Sequence, residues 1–259
     1  MKRFRKPRAS RGDDARTTWM PLPDDPSDQP ADAAFTPPDQ ARDREGGSAA
    51  VQALIHGAPA QDSDPEAMPH EVAMERARTL LQALSDCDAD TVGHLQRTAT
   101  TVARVSAALG WDEDRRRWAT FGALLHDIGK IGVSPSVMYK PGPLSPDEQA
   151  VMRDHVNYGI DLVTAYGFPA IVARIVREHH ERLDGSGYPQ GLAAEGISEE
   201  AKLVMLADIA DAMLSRRPYK QALTLDDVRR ALSAGAGSMF EAELVEPVIQ
   251  VLAATPPEE

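Results

Sequence analysis

The chain has little from which a covalent or thiolate framework could be built. Its 259 residues include a single cysteine, Cys87. A disulfide within the chain is therefore impossible, and a zinc site built from several cysteine thiolates is excluded. Sparse cysteine is typical of proteins kept in a reducing compartment, so we predict a cytoplasmic location.

Long hydrophobic runs are also missing, since no stretch of 18 apolar residues occurs. This excludes a transmembrane helix. The basic N-terminal stretch MKRFRKPRASR lacks the apolar core of a secretory signal. It is typical of a solvated tail, with weak contact to anionic lipid or nucleic acid as the alternative. The formal net charge of −12 argues against binding of polymeric nucleic acid. Attraction for an anionic phosphate must then come from metals or from a few local cations.

Aromatic residues make up only 5% of the chain, against 42% hydrophobic residues overall. A composition rich in Ala, Leu, Glu and Arg favours helix over sheet. Half of the 20 prolines fall in residues 1–70, which have no sustained apolar period, so this segment is predicted to be disordered. Within it, only AAVQALI at 49–55 could form a turn or two of helix. Residues 71–259 are predicted to form one all-α domain, a bundle of about seven or eight helices. One of these is predicted to begin at Ser145 and to end near Gly167.

Ionisable residues interrupt the apolar helices of this domain. The apolar helix predicted from about Glu113 to Ile128 contains His126 and Asp127 at its end. A single histidine at a helix end is usually only hydrogen-bonded, but buried charge is costly unless it is paired or bound to a metal. Five of the seven histidines and a semi-buried aspartate share this kind of position: His94, His126, His155, His179, His180 and Asp208.

Helical bundles build metal sites from inward side chains of this kind. Imidazole and carboxylate ligands without thiolate suit iron, manganese, nickel or zinc. Asp127 can bridge two ions while His126 binds one of them. His179 and His180 lie about 100° apart on a helix, so both can bind only near a helix end or across a two-metal centre. Two ions a few ångströms apart would suit phosphoryl chemistry.

The order of these motifs resembles the HD-GYP subgroup of the HD-domain phosphohydrolases. The matching residues lie within about 75–255: His94, HDIGK at 126–130, His155, HHERLDGSGYP at 179–189, Asp208 and RPYK at 217–220. The resemblance implies a bacterial, all-helical signalling enzyme with two or three divalent metal ions, commonly iron or manganese. It also implies hydrolysis of cyclic di-GMP through a metal-bridging hydroxide, which gives the linear dinucleotide pGpG, GMP or both.

The same resemblance implies a role for each matching residue. Asp127 and Lys130 would be catalytic, Asp127 as the bridging ligand and Lys130 as the contact to the scissile phosphate. The implied ligands of the first two metals are His126, Asp127, His155, His179, His180 and Asp208. The implied substrate-binding residues are Lys130, Arg217 and Lys220, together with the loop residues Gly187, Tyr188 and Pro189.

A third metal would be held by His94 and by the residue four positions before it. Members of the subgroup with three metals carry Glu at that position, whereas this chain has Asp90. The spacing puts Asp90 and His94 on one helix face, but aspartate is one methylene shorter than glutamate. Asp90 is either a weak third-metal ligand, which would favour GMP as product, or an ordinary carboxylate in the first turn of its helix.

Two other functions stay open at this point. One is an HD phosphohydrolase acting on another nucleotide, including a related cyclic dinucleotide. The other is a signalling module that binds a nucleotide or a partner protein without turnover. All six positions of the two-metal ligand set carry ligand residues, which favours catalysis. The sequence does not decide between protein partners, a homodimer and a monomer.

Overall fold

The computed structural model describes residues 49–60, 64–215 and 223–254. These residues form helices and loops with no named strand, which confirms the predicted all-α class. Short 3-10 helices occur at Pro65–Ala67, Ile128–Gly132 and Ala194–Gly196. The α-helices are α1 (49–56), α2 (His70–Ser85), α3 (Ala89–Ala108), α4 (Glu113–Leu125), α5 (Pro135–Met138), α6 (Pro146–Arg153), α7 (His155–Ala165), α8 (Ala170–Glu178), α9 (Glu199–Leu214), α10 (Leu225–Gly235) and α11 (Ala242–Ala253).

Side-chain caps begin α3, which carries His94, and α6, which directly precedes the helix of His155. Asp88 accepts a hydrogen bond from the backbone N–H of Thr91 at the start of α3, over 3.1 Å. Ser145 and Glu148 form a reciprocal capping box at the start of α6. These contacts satisfy backbone donors that a helix N-terminus leaves unpaired, so short sequence signals fix where the helices begin.

The structure divides the chain more finely than the sequence predicts. The helix expected from Ser145 to near Gly167 is two helices, α6 and α7, which meet at Asp154. At this junction the ring of His155 donates a hydrogen bond to the carbonyl of Met152 over 2.7 Å. A side-chain hydrogen bond to a backbone carbonyl competes with the backbone hydrogen bonds of the helix. The break between α6 and α7 therefore lies beside a candidate site residue.

Helix α9 lies at the centre of the bundle. Twelve of its 16 residues are buried, as expected for a helix that is apolar almost all round. It packs against α3, α4 and α8, while α4 also packs against α3 and α8. The buried polar residues of these helices, such as Asp208 and Asp211 of α9, therefore lie between packed helices inside the domain. Within the described residues, no helix is both long enough and apolar enough to cross a bilayer.

Ordered structure begins before residue 71. Helix α1 buries Val51, which is 1% exposed, in the same apolar cluster as Met68 and Leu80. Part of the segment predicted to be disordered thus packs on the bundle, because tertiary contacts stabilise the short helix that the sequence allowed at 49–55. Residues 1–48 lie outside the part of the chain that the structure describes.

Candidate metal centre

The turn after α4 brings His126 and Asp127 against α7. His126 caps α4, Asp127 follows it, and the 3-10 turn Ile128–Gly132 comes next. Gly129 is the contact point, because a Cβ atom at this position would lie 1.8 Å from the carbonyl oxygen of His155. Only glycine permits this backbone approach, which places the carboxylate of Asp127 beside the ring of His155.

Three histidines are oriented in the same way. In each, Nδ1–H donates a hydrogen bond to the backbone carbonyl three residues earlier, which fixes the tautomer and directs Nε2 away from its own helix. The pairs are His126 with Ala123 at 2.7 Å, His155 with Met152 at 2.7 Å, and His179 with Val176 at 2.8 Å.

The three Nε2 atoms surround the carboxylate of Asp127. Its Oδ1 atom lies 3.3 Å from Nε2 of His155 and 3.7 Å from Nε2 of His179. Its Oδ2 atom lies 3.7 Å from Nε2 of His126 and 2.6 Å from Nζ of Lys130.

The possible metal donors form two groups that share Asp127. The first group is Asp127, His155, His179 and His180, and the second is His94, His126 and Asp127. The donor atoms in each group lie within 4.8 Å of one another.

Two atoms of this cluster lack a hydrogen-bond partner among the described residues. They are Nε2 of His126 and Oδ1 of Asp127, and both are buried. In addition, the Nε2 atoms of His155 and His179 lie 3.4 Å apart. In a neutral ring whose Nδ1–H is already engaged, Nε2 carries a lone pair, and two lone pairs at this distance are stabilised by a shared cation. The donor set and its unpartnered atoms therefore fit bound divalent metal ions.

The charge states of the first group also suit metal binding. Burial lowers the pKa of His155 to about 3 and places the pKa of His180 well below its usual value. Burial alone would raise the pKa of Asp127, but neighbouring charges, with that of Lys130 the largest, outweigh it and hold that pKa well below its usual range. Neutral imidazoles and an ionised carboxylate are the forms that bind metals.

His94 is held by two aspartates of α9. Its Nε2 atom lies 2.8 Å from Oδ1 of Asp208, and its Nδ1 atom lies 2.7 Å from Oδ2 of Asp211. Burial opposes the charge on this ring, but hydrogen bonds to Asp208 and then Asp211 prevail and raise its pKa to about 10. A metal at His94 would have to displace a proton. Asp208 also lies 3.6 Å from Nε2 of His126, and so links His94 to the cluster.

Asp90 and Arg97 occupy the same helix as His94 but differ in their contacts. Asp90 is exposed in the first turn of α3 and belongs to neither candidate metal group. Arg97 contacts both carboxylate oxygens of Asp211, at 2.8 and 3.0 Å. Sequence reasoning missed Arg97, although its spacing of three residues from His94 places both on one helix face.

The loop after α8 covers one side of the cluster. The ring of Tyr188 stacks on the ring of His180, with centroids 4.6 Å apart and planes 24° apart. Glu181, which is fully buried, accepts hydrogen bonds from the backbone N–H groups of Gln190 and Leu192, each over 2.8 Å. A Cβ atom on Gly187 would lie 2.4 Å from Cα of Glu181. The role of Glu181 was missed from the sequence, although it directly follows the two histidines.

We expect that Glu181→Gln will loosen this loop. The substitution leaves one carbonyl oxygen for two backbone donors and exposes an amide N–H₂ to one of them. A buried unsatisfied group of this kind costs about 1–3 kcal/mol. Urea unfolding should show that loss, and hydrogen exchange should accelerate in residues 184–192. Glu195→Gln, at an exposed position, is the matched control, and equal stability of the two variants would contradict the assignment.

The structure therefore brings together most residues that the sequence singled out. His94, His126, Asp127, Lys130, His155, His179, His180, Tyr188 and Asp208 lie in one connected set of contacts. Pro189 directly follows Tyr188, and Gly187 directly precedes it. Arg217 and Lys220 lie outside the described residues, so their predicted role in substrate binding has no structural counterpart here.

Comparison with known proteins gives a family match over most of the folded region. The family described as "HD domain" matches residues 78–244. A solved structure described as an HDGYP protein from Bdellovibrio bacteriovorus aligns with a TM-score of 0.53. The alignment has 16% identity and covers 81% of this chain and 70% of that chain. At this identity the likeness supports the fold alone.

Two curated relatives share more of the sequence. The "cyclic di-GMP phosphodiesterase response regulator RpfG" of Xanthomonas campestris is 39% identical over 178 residues, which are 68% of this chain and 47% of that protein. The "3'3'-cGAMP-specific phosphodiesterase 2" of Vibrio cholerae is 32% identical over 182 residues, which are 70% of this chain and 35% of that protein. The chain thus spans about half or less of the length of these relatives.

Proposed function

The chain belongs to the HD-domain family, in its HD-GYP subgroup, and from that premise we propose that it is a metal-dependent phosphodiesterase that hydrolyses cyclic di-GMP. The observation that carries this proposal is the pair of buried, unpartnered donor atoms, Nε2 of His126 and Oδ1 of Asp127, inside a cluster of five histidines. The similarity to a cyclic di-GMP phosphodiesterase supports the choice of substrate. The cytoplasmic location and the division of the chain at residue 70 stay predictions.

We assign two divalent ions, iron or manganese, to the two donor groups that share Asp127. Bound there, such ions would activate water and stabilise charge on a phosphodiester. His155, His179 and His180 would hold one ion together with Asp127. His126 and Asp127 would hold the other together with Asp208, which lies 3.6 Å from Nε2 of His126 and takes the place of His94 in the second donor group. The exposed position of Asp90 and the engagement of His94 by two aspartates give no support to a third ion. We therefore propose the linear dinucleotide pGpG as the main product.

The chain's own side chains would bind and orient the substrate. Nζ of Lys130 lies 2.6 Å from Oδ2 of Asp127, and the lysine side chain is a quarter exposed. We propose that this amine contacts a phosphate oxygen at the cluster. Tyr188, stacked on His180, would form a wall of the site together with Gly187 and Pro189. Arg217 and Lys220 are proposed as further cations for the substrate.

A mixed cyclic dinucleotide is the second candidate substrate. The similarity to a 3'3'-cGAMP-specific phosphodiesterase favours it specifically. The two compounds differ in one base and share the phosphodiester groups at which the chemistry occurs. The cluster geometry therefore fits both, and their discrimination depends on contacts to the bases.

The test is an anaerobic assay of the full chain loaded with ferrous iron or manganese. Cyclic di-GMP and 3'3'-cGAMP would be supplied separately, and products resolved by chromatography. Faster turnover of cyclic di-GMP to pGpG is expected. Preference for 3'3'-cGAMP would replace the substrate assignment, and GMP as the main product would overturn the two-ion assignment. Bound metal without turnover of either compound would contradict the phosphodiesterase proposal.

A further inference from the structure

An arginine lies close to the metal cluster without belonging to it. Arg153 is the last residue of α6, and its side chain is exposed. Its guanidinium carbon lies 4.7 Å from the centroid of the Tyr188 ring. That same ring stacks on His180, with the centroids 4.6 Å apart. One aromatic side chain therefore separates a fixed positive charge from a candidate metal ligand.

The charge of Arg153 is not balanced within the described part of the chain. No described carboxylate lies within salt-bridge distance of it. The neighbouring Asp154 accepts a hydrogen bond from Asn157 over 3.3 Å, and Lys130 is paired with Asp127. In a chain of net charge −12, such a cation makes a local anion site that the protein as a whole would otherwise repel.

The position of the Arg153 guanidinium over the ring of Tyr188 decides which of its N–H groups remain available to a ligand. A guanidinium over an aromatic face gains cation–π attraction and keeps N–H groups that can donate to a ligand. Those donors match two oxygens of a phosphate. Because Tyr188 limits the rotamers of Arg153, less conformational entropy is lost when an anion binds.

We propose that Arg153, held against Tyr188, binds the second, uncleaved phosphate of a cyclic dinucleotide whose first phosphate lies at the metal cluster. The inference rests on the proposed function, because it assigns one contact to that substrate. It predicts that the arginine distinguishes substrates with two phosphodiester groups from substrates with one. Its role is in binding, so the Michaelis constant should change and the turnover number should not.

The experiment compares two substrates on the manganese-loaded full chain. Cyclic di-GMP carries two phosphodiester groups, and bis(p-nitrophenyl) phosphate carries one. Arg153→Gln should raise KM for cyclic di-GMP about tenfold or more, as expected for loss of charged hydrogen bonds, with kcat within about twofold. Hydrolysis of bis(p-nitrophenyl) phosphate should not change. Arg153→Lys should recover part of the lost affinity for cyclic di-GMP, because lysine keeps the positive charge but lacks the paired N–H donors of the guanidinium.

The control is Arg116→Gln, an exposed arginine in the first half of α4. It lies ten residues before His126, about 15 Å along the helix. It should leave both substrates unaffected. Unchanged KM for cyclic di-GMP in Arg153→Gln would overturn the inference, and so would equal losses on both substrates, which would indicate a structural effect through Tyr188. Wild-type protein that cleaves only bis(p-nitrophenyl) phosphate would instead overturn the proposed function, and with it the substrate to which this contact is assigned.

Discussion

Asp127→Asn is expected to remove bound metal and to lower phosphodiester turnover by about a thousandfold or more. Asp127 is the one residue common to both donor groups, with Oδ1 near His155 and His179 and Oδ2 near Lys130. Asparagine has nearly the same shape but carries no charge, and its amide nitrogen is not a metal ligand. Metal content after gel filtration, far-ultraviolet circular dichroism and turnover of cyclic di-GMP together measure the effect.

The helical fold should survive this substitution, because the side chain keeps its volume. Asp161→Asn, at an exposed position of α7, is the matched control and should retain both metal and activity. If Asp127→Asn bound metal and turned over substrate like the wild type, the bridging role would be wrong. Loss of helical signal in the same variant would indicate that Asp127 is needed for folding.

Gly129→Ala is expected to destabilise the domain by about 2–4 kcal/mol and to impair the site at the same time. The added Cβ would lie 1.8 Å from the carbonyl oxygen of His155 and 2.4 Å from the backbone nitrogen of Gly159. Both are backbone atoms and cannot rotate away, so the 3-10 turn must separate from α7. That movement lengthens the 3.3 Å contact between Asp127 and His155. Urea unfolding and metal affinity report the two effects.

Gly93→Ala is the control, and it is expected to raise the free energy of unfolding rather than to lower it. Gly93 lies inside α3, where a Cβ would meet only the end of the Arg97 side chain, at 3.3 Å. That flexible group can move by a few tenths of an ångström. Replacing glycine by alanine inside a helix stabilises it by about 1 kcal/mol. A Gly129→Ala variant as stable as Gly93→Ala would show that the close contact between turn and helix is dispensable.

The sequence singled out the histidines and aspartates of the cluster because the chemistry of metal binding is carried by residue type. Histidines and aspartates on apolar helices are costly unless something binds them, and this argument holds without knowing how the helices pack. The starts of the helices were also predictable from neighbouring residues, because the capping box at Ser145 needs only four consecutive residues. The all-α class followed from composition and from periodicity along each helix.

The sequence could not predict features that depend on distant partners. Arg97 and Asp211 are 114 residues apart, and only the packing of α3 on α9 joins them. Glu181 looks like an ordinary acidic residue until the loop folds back to donate two backbone hydrogen bonds. The sequence allowed a turn or two of helix at 49–55, but the burial of Val51 depends on an apolar cluster that other helices supply. Each case is a long-range contact that no local period encodes.

Anomalous diffraction from crystals of the manganese-loaded chain would show whether this cluster binds metal ions. We expect two anomalous peaks that share Asp127 as a ligand, one beside His155 and His179 and one beside His126. Crystals of the Asp127→Asn variant grown in the same way should show neither peak. Fully loaded wild-type crystals without anomalous density at these residues would contradict metal binding by this cluster.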